Sequence, residues 1–248
     1  MNFLTLVAHL SEWLGAVAVS WLFSLSPRLQ KPPVGFKYAR RDGITALSLF
    51  VIMLLFAFIY YGQNPTSLAE TPRPAPAGDL TQALFAAALS LGAIIVALVV
   101  RKQPIRSAGW NQPLTMPALQ MGFAIAILTI FLRNRVMDVL AGLRSDQMIL
   151  LLLAVGISLA EEIVFRGYIQ QRLIWWLGPW PGIALTALMF TLWHAPTWLN
   201  RAPLETQAVL AGLTFAQGLV LGWIMRKSGH IIAPAFYRSI SIWMNVIG

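Results

Sequence analysis

Apolar residues recur in long runs along this chain, and short polar segments separate the runs. A transmembrane helix needs about 20 apolar residues, and each run is close to that length. The runs lie at roughly 3–25, 44–63, 80–100, 114–133, 148–170, 180–198, 206–225 and 231–247. The pattern predicts an all-α fold, a polytopic transmembrane helical bundle of about eight spans.

The segments between the runs have turn-forming sequences such as KPPVG, LGPWPG and RKSG. The Pro-rich stretch TPRPAPAG at 71–78 is interpreted as an extended loop. Residues 136–147, VMDVLAGLRSDQ, are interpreted as a short amphipathic helix at the membrane interface. We expect one membrane domain, in which 1–147 supply the N-terminal helices and 148–248 the core helices.

Composition supports a membrane protein, because 58% of residues are hydrophobic, 11% are charged and the mean hydropathy is +0.69. The net charge of +9 does not indicate nucleic-acid binding, since no basic segment is interleaved with stacking aromatic residues. The absence of cysteine excludes disulfides, thiolate metal ligands and cysteine nucleophiles. The first apolar run lacks a basic segment and a cleavage site, which favours a retained span over a signal peptide.

Basic residues are concentrated in alternate loops, a distribution that indicates orientation. The first, third, fifth and seventh loops are predicted to be cytoplasmic, which places both termini on the opposite side. Their basic residues are Arg28, Lys31, Lys37, Arg40, Arg41, Arg101, Lys102, Arg106, Arg172, Arg226 and Lys227. The second and sixth loops are mixed in charge and contain Glu70, Arg73, Asp79, Arg201 and Glu205.

The segment ISLAEEIVFRGY, 157–168, places three ionisable residues in the fifth apolar run. Ionisable groups within a membrane are costly and by default indicate a functional site. Glu162 and Arg166 are four residues apart, so they share a helix face and can pair. Glu161 is rotated by about 100° from Glu162 and is expected to face a polar cavity. In the alternative, the helix ends here, Arg166 reaches the headgroups, and Tyr168, Trp175 and Trp176 form an aromatic belt.

The sixth run carries a second polar group, His194, in the segment MFTLWHAPTW. A lone histidine on an apolar helix is usually a packing residue. Here the run is otherwise apolar and Pro196 interrupts its hydrogen bonding two residues later. A glutamate and a histidine on neighbouring helices can hold one water, with the carboxylate removing its proton and the imidazole positioning it or a metal.

Two motifs together, Glu161-Glu162-x-x-x-Arg166 and Phe190-x-x-x-His194, resemble those of the CAAX protease and bacteriocin-processing (CPBP, Abi) family of intramembrane endopeptidases. The segment GHIIAPAFYR is similar to the start of that family's last core helix. The resemblance covers about 148–245. It implies about eight helices around a water-filled cavity and cleavage of a peptide bond at or within the membrane.

The resemblance also implies roles for individual residues. Glu161 would activate water, His194 would assist it or bind a metal together with Glu161, and Glu162 with Arg166 would hold the site together. Zinc is a possible cofactor by resemblance. The expected partners are membrane lipids and a membrane-embedded or lipid-anchored peptide or protein, and no nucleic acid. Prenylated CAAX-type tails, bacteriocin leaders and membrane-anchor signals are all precedents for the substrate.

The chain departs from the family's third motif, HxxxN. Aligned on Ala233-Pro234, the histidine falls on Arg238 and the asparagine on Ile242, and His230 lies too far away to substitute. In one interpretation Arg238 stabilises a developing oxyanion. Ser241 and Asn245 then extend its polar stripe, and Phe190 and Tyr237 line a substrate cavity. In the other, Arg238 neutralises Glu161, the chemistry is lost, and the protein is a binding or scaffold factor for another membrane protein.

Overall fold

The computed structural model describes residues 3–29, 35–63, 76–199 and 203–247, and no strand occurs among them. The fold is therefore all-α, as predicted. The helices are α1 (Phe3–Ser24), α2 (Ala39–Gln63), α3 (Pro76–Val100), α4 (Thr115–Leu132), α5 (Val136–Leu140), α6 (Ser145–Glu162), a π-helical segment (Ile163–Gln170), α7 (Gln171–Leu177), α8 (Pro179–Trp198), α9 (Leu204–Ser228) and α10 (Ile232–Ile247).

Six helical segments are long and apolar enough to cross a membrane, so the chain is an integral, multi-pass membrane protein. They are Leu6–Ser24, Ala39–Gln63, Asp79–Val100, Gln112–Leu132, Ser145–Leu177 and Leu204–Ser228. The predicted number of eight spans is not confirmed. The other two predicted spans correspond to α8, with 20 residues, and α10, with only 16.

Two predicted elements differ from the structure. The interfacial helix predicted over 136–147 is only α5, and α6 begins at Ser145 after a turn that contains Gly142 with a positive φ of 98°. The loop predicted over 71–78 is also shorter, because α3 begins at Pro76. Residues 71–75 lie outside the described residues, as do Lys31, Glu70, Arg73 and Arg201 of the loop-charge analysis.

Helices α6 and α10 occupy the centre of the bundle. Helix α10 packs against α4 and α6, α8 packs against α9, and α1 lies across α4 and α9. The buried core lies between them and is largely aliphatic and aromatic, with Phe165, Tyr168, Phe190 and Tyr237 among its fully buried side chains. The apolar periodicity of the helices therefore directs one face inward, and large apolar residues on the other faces remain on the outer surface of the bundle.

The central helix widens from an α-helix to a π-helix immediately after Glu162. Single π turns are common at functional sites, and this segment lasts for eight residues. Its backbone closely approaches the loop between α3 and α4, because a Cβ added at Gly167 would collide with the carbonyl oxygen of Ala108. Beyond it, Arg172 is fully buried and donates to the carbonyl oxygens of Tyr168 and Ser107 at 2.9 and 3.1 Å. These contacts fix the π-helical segment against the loop that follows α3.

A second buried charge cluster joins α1, α4 and α10. Arg133 contacts the Glu12 carboxylate through Nη2 at 2.6 Å and Nε at 2.7 Å. The same guanidinium donates to Asn245 at 2.9 Å and contacts His9 Nδ1 at 3.1 Å. Glu12 in the first apolar run is thus neutralised by a partner 121 residues away. This pairing allows a charged residue within an otherwise apolar helix.

We predict that Gly167→Ala destabilises the protein by about 1–3 kcal/mol or more, because the added methyl group has no space beside the Ala108 backbone. Gly212→Ala in α9 is the matched control, since nothing lies within 4 Å of its added Cβ. The control should change stability by no more than about 1 kcal/mol and in the stabilising direction. Thermal unfolding in detergent measures both, and equal stability of the two variants would contradict the close approach at Gly167.

The alternating basic loops predict that the end of the bundle carrying Arg106 faces the cytoplasm. Because the chain has no cysteine, single cysteines can be labelled without background. We expect a membrane-impermeant maleimide added to intact cells to label Ala141→Cys, at the opposite end, and not Arg106→Cys. Labelling of Arg106→Cys alone would show the reverse orientation.

Candidate active site

Four chain segments supply the polar residues of the site. The C-terminal turn of α6 carries Glu161 and Glu162, the π-helical segment carries Arg166, α8 carries His194, and α10 carries Arg238. Glu162 and Arg166 are completely buried, so the Arg166 guanidinium does not reach the surface of the bundle. The alternative in which Arg166 reaches the headgroups and Tyr168 joins an aromatic belt is therefore wrong, because both side chains are buried in the bundle and the helix continues to Leu177.

The carboxylate of Glu161 is held from two sides. Its Oε2 forms a close ion pair with Arg238 Nη2, and its Oε1 accepts a hydrogen bond from Trp193 Nε1 at 3.1 Å. His194 Nε2 lies 3.7 Å from Oε2. The predicted proximity of Glu161 to His194 is therefore present in the structure, on helices separated by 33 positions in the sequence.

The contacts of His194 identify its tautomer. Nδ1 lies 2.9 Å from the carbonyl oxygen of Phe190, which can only accept, so Nδ1 carries the proton. Nε2 then has a free lone pair, which accepts from Arg238 Nη2 at 3.2 Å. The His194 side chain is 26% exposed, against 4% for Glu161 and 5% for Arg238. A molecule that approaches the Glu161 carboxylate from the surface therefore passes His194.

Glu162 and Arg166 form the predicted pair, with Arg166 Nε 3.4 Å from Glu162 Oε2. Arg238 Nη1 lies 3.6 Å from the other oxygen of Glu162 and so bridges the two acids. Arg166 also donates to the carbonyl oxygen of Gly218 at 3.3 Å, which ties the network to α9. Two carboxylates and two guanidiniums thus form a buried network whose formal charges cancel.

Phe190 supports both cations. The guanidinium carbons of Arg166 and Arg238 lie 4.1 and 4.3 Å from the centroid of its ring, a cation–π distance. Phe190 is only 1% exposed. It therefore lies under the charge network, and the prediction that it lines a substrate cavity was wrong.

The other residues predicted for the cavity lie elsewhere. Ser241 accepts from Gln217 of α9 at 3.5 Å, and the buried Tyr237 interacts with Glu12 and Trp13. Asn245 is exposed and bonds to Arg133. The predicted polar stripe was wrong at Asn245 because seven residues move it about 10.5 Å along the helix axis, to the level of Arg133.

His230 does not substitute for the missing third-motif histidine. It lies between α9 and α10, where Nδ1 accepts from Ile232 N at 3.1 Å and Nε2 contacts Thr115 at 3.2 Å. Burial lowers the pKa of His230 to about 4, so its imidazole is neutral near pH 7. Its role is to cap the start of α10. Ile242, at the asparagine position of the motif, packs among apolar side chains around Trp243.

The donor set does not fit a catalytic zinc ion. Such sites use three protein ligands and a water. The described residues contain no group of three or more histidine, cysteine, aspartate or glutamate side chains that could hold a metal. Glu161 and His194 are the two candidates of the sequence analysis, and Arg238 contacts the metal-facing atoms of both. A guanidinium in that position repels a divalent cation.

Two groups of the site were not predicted from the sequence. Trp193 donates to Glu161 Oε1, and the only sequence feature that pointed to it was its position beside His194. The Gly218 carbonyl oxygen that receives Arg166 gave no signal, because any residue has a backbone carbonyl. Neither contact could be found without knowing how α8 and α9 pack against the π-helical segment.

The region that contains this site matches a known family. The family described as "Type II CAAX prenyl endopeptidase Rce1-like" matches residues 144–244, which include both glutamates, Arg166, His194 and Arg238. No curated protein and no solved structure matches the chain. The match confirms the resemblance that the first two motifs had predicted: residues 144–244 are similar to the Rce1-like type II CAAX prenyl endopeptidases.

Proposed function

We propose that this protein is an intramembrane endopeptidase in which Glu161 activates the hydrolytic water. One observation carries the proposal: Glu161 Oε2 and His194 Nε2, from different helices, lie 3.7 Å apart within the region matched by an endopeptidase family. Both atoms are acceptors in the tautomer described above. One water can therefore donate one hydrogen to each and be oriented by both.

The water would attack the carbonyl carbon of the scissile peptide bond as Glu161 takes its proton. The carbonyl oxygen becomes an oxyanion, which the guanidinium of Arg238 is placed to stabilise. The tetrahedral intermediate then collapses, the C–N bond breaks, and Glu161 transfers the proton to the leaving amine, so the products are a carboxylic acid and an amine. Trp193 holds Oε1 of Glu161 throughout and directs Oε2 towards the water.

Arg238 must change partners during this sequence. In the structure it contacts both Glu161 Oε2 and His194 Nε2, the two atoms that would hold the water. A substrate carbonyl would attract the guanidinium away from the carboxylate and open that position. Glu162 limits the movement, because its oxygen lies 3.6 Å from Arg238 Nη1 and remains a counter-ion.

The substrate would be a membrane-embedded or lipid-anchored peptide, since the matched family is named for prenyl endopeptidases. The partly exposed His194 is the accessible member of the site, so the cleaved bond would approach from its side. Membrane lipids are the surrounding partners.

We expect Glu161→Gln to reduce kcat by about 10²–10⁴-fold, the usual contribution of a general base. Gln is isosteric and keeps an oxygen for the Trp193 hydrogen bond. Turnover of a farnesylated CAAX-type peptide and of a panel of transmembrane peptides, by the full chain in liposomes, measures the effect. The matched control is Glu205→Gln, at an exposed position at the start of α9, which should retain wild-type turnover.

Instability could imitate this loss, because breaking a buried ion pair costs about 3–5 kcal/mol. The double variant Glu161→Gln/Arg238→Gln removes one charge of each sign and should recover thermal stability without recovering turnover. Equal turnover by the wild-type protein and Glu161→Gln would refute a role for Glu161 as the base.

We also predict that activity does not depend on a bound metal. Because Arg238 occupies the metal-facing side of Glu161 and His194, EDTA or 1,10-phenanthroline should change turnover by less than about twofold. Elemental analysis of the same sample should find far less than one zinc per chain. The prediction would be contradicted by about one zinc per chain, if zinc and activity were lost together on chelation and restored together.

A second candidate function follows from the ion pairs of Arg238 with both glutamates. In this alternative the network is purely structural, and the protein is a catalytically inactive family member that binds or scaffolds another membrane protein. It predicts no turnover by the wild-type chain. Glu161→Gln and Arg238→Gln would then lower thermal stability and have no other effect, whereas detectable wild-type turnover that Arg238→Gln reduces would exclude it.

A further inference from the structure

A basic surface lies at the end of the bundle opposite α5. The chain segments that meet there carry Arg28, Lys37, Arg40, Arg41, Lys102 and Arg106, all with exposed side chains. The one acidic residue among them in the described ranges, Asp42, is 4% exposed and is used internally. It contacts Arg101 Nη2 at 2.6 Å and accepts from Gln103 Nε2 at 3.1 Å. Asp42 therefore does not neutralise the exposed cations of this surface.

One part of this surface is concave. A cavity of about 500 Å³ at the start of α2 is lined by Tyr38, Ala39, Arg40, Arg41, Ile44 and Thr45. It is shallow and opens widely to the surface of the bundle. Cations form its rim, while Ala39, Ile44 and the Tyr38 ring form apolar walls. Such a cavity suits a ligand with an anionic head and an apolar body.

The cations are held together around one aromatic ring. The Arg41 guanidinium carbon lies 4.9 Å from the Tyr38 ring centroid, and Lys37 Nζ lies 5.4 Å from it. The electron-rich faces of the ring offset the repulsion between the two cations. Within the described residues, no carboxylate forms an ion pair with Lys37, Arg40 or Arg41. The cluster is thus preorganised and lacks a counter-ion.

The apolar wall continues along the lipid-facing side of α2. Ile44, Val51, Ile52 and Leu55 are 46, 52, 63 and 60% exposed, and their spacing places them on one helix face. An acyl chain can follow this face into the membrane while its headgroup stays at the cationic rim. A soluble anion would use only the rim.

We propose that this cavity is a binding site for one anionic phospholipid, with its phosphate at Lys37, Arg40 and Arg41 and an acyl chain along α2. The proposal does not depend on catalysis. Each lysine or arginine near an anionic membrane surface contributes about 1 kcal/mol, which is about a fivefold change in affinity. Arg40 and Arg41 line the cavity, and Lys37 lies 5.4 Å from the centroid of the Tyr38 ring that also lines it, so the three groups together favour an anionic over a zwitterionic lipid.

Native mass spectrometry of the full chain, released from micelles of phosphatidylglycerol and phosphatidylcholine with identical acyl chains, tests the site. We expect the wild-type protein to retain one phosphatidylglycerol in preference. The triple variant Lys37→Gln/Arg40→Gln/Arg41→Gln should show a preference at least about tenfold weaker. Arg40→Gln alone should lose about fivefold, which keeps the test valid if the triple variant is unstable.

The matched control is Arg28→Gln/Lys102→Gln/Arg106→Gln, which removes the same charge from the same end but outside the cavity. It should keep the wild-type preference within about twofold. An equal loss in both triple variants would show diffuse electrostatic attraction and overturn the site. The absence of any lipid preference in the wild-type protein would also overturn the site. Displacement of the lipid by millimolar inorganic phosphate would overturn it as well, because it would identify a simple anion site.

Discussion

The fold depends on neutralising charge in the middle of the membrane bundle. Glu161, Glu162, Arg166 and Arg238 would each be costly alone in a low-dielectric interior. As a set, they form three ion-pair contacts across α6, the π-helical segment and α10. Phe190 of α8 lies beneath both guanidiniums and completes the enclosure. The network therefore fixes the relative positions of four chain segments that apolar packing alone would leave free to slide.

The same network constrains the chemistry that is possible. A carboxylate beside an arginine is a weak base until the arginine is drawn elsewhere, because the guanidinium stabilises the charged form. A hydrolase built on Glu161 therefore needs the substrate itself to recruit Arg238. This requirement would couple activation to binding, since the carbonyl oxygen of a bound peptide is the group that can compete for the guanidinium. Neutral His194, already oriented by the Phe190 carbonyl, needs no such rearrangement.

Buried polar contacts also organise the rest of the bundle. Arg133 joins Glu12 of α1 to Asn245 near the end of α10, and Tyr237, next to Arg238, interacts with the same glutamate. Arg172 ties the π-helical segment to the loop after α3. Helix α10 is thus held at its start by His230, at its centre by the glutamates and near its end by Arg133. Its short length of 16 residues is compensated by these polar anchors.

The sequence by itself determined the class of fold, because runs of apolar residues of membrane-spanning length admit only helices in lipid. It also predicted the pairing of Glu162 with Arg166, which follows from local helix spacing, and, through the first two motifs, the similarity of residues 144–244 to an endopeptidase family. Only the tertiary structure decided the rest. Whether Arg238 meets Glu161, and why Asn245 meets Arg133 instead, depends on the axial offset between helices. The π-helical widening, the Trp193 hydrogen bond and the length of α5 likewise depend on packing between distant segments, which periodicity along one helix does not encode.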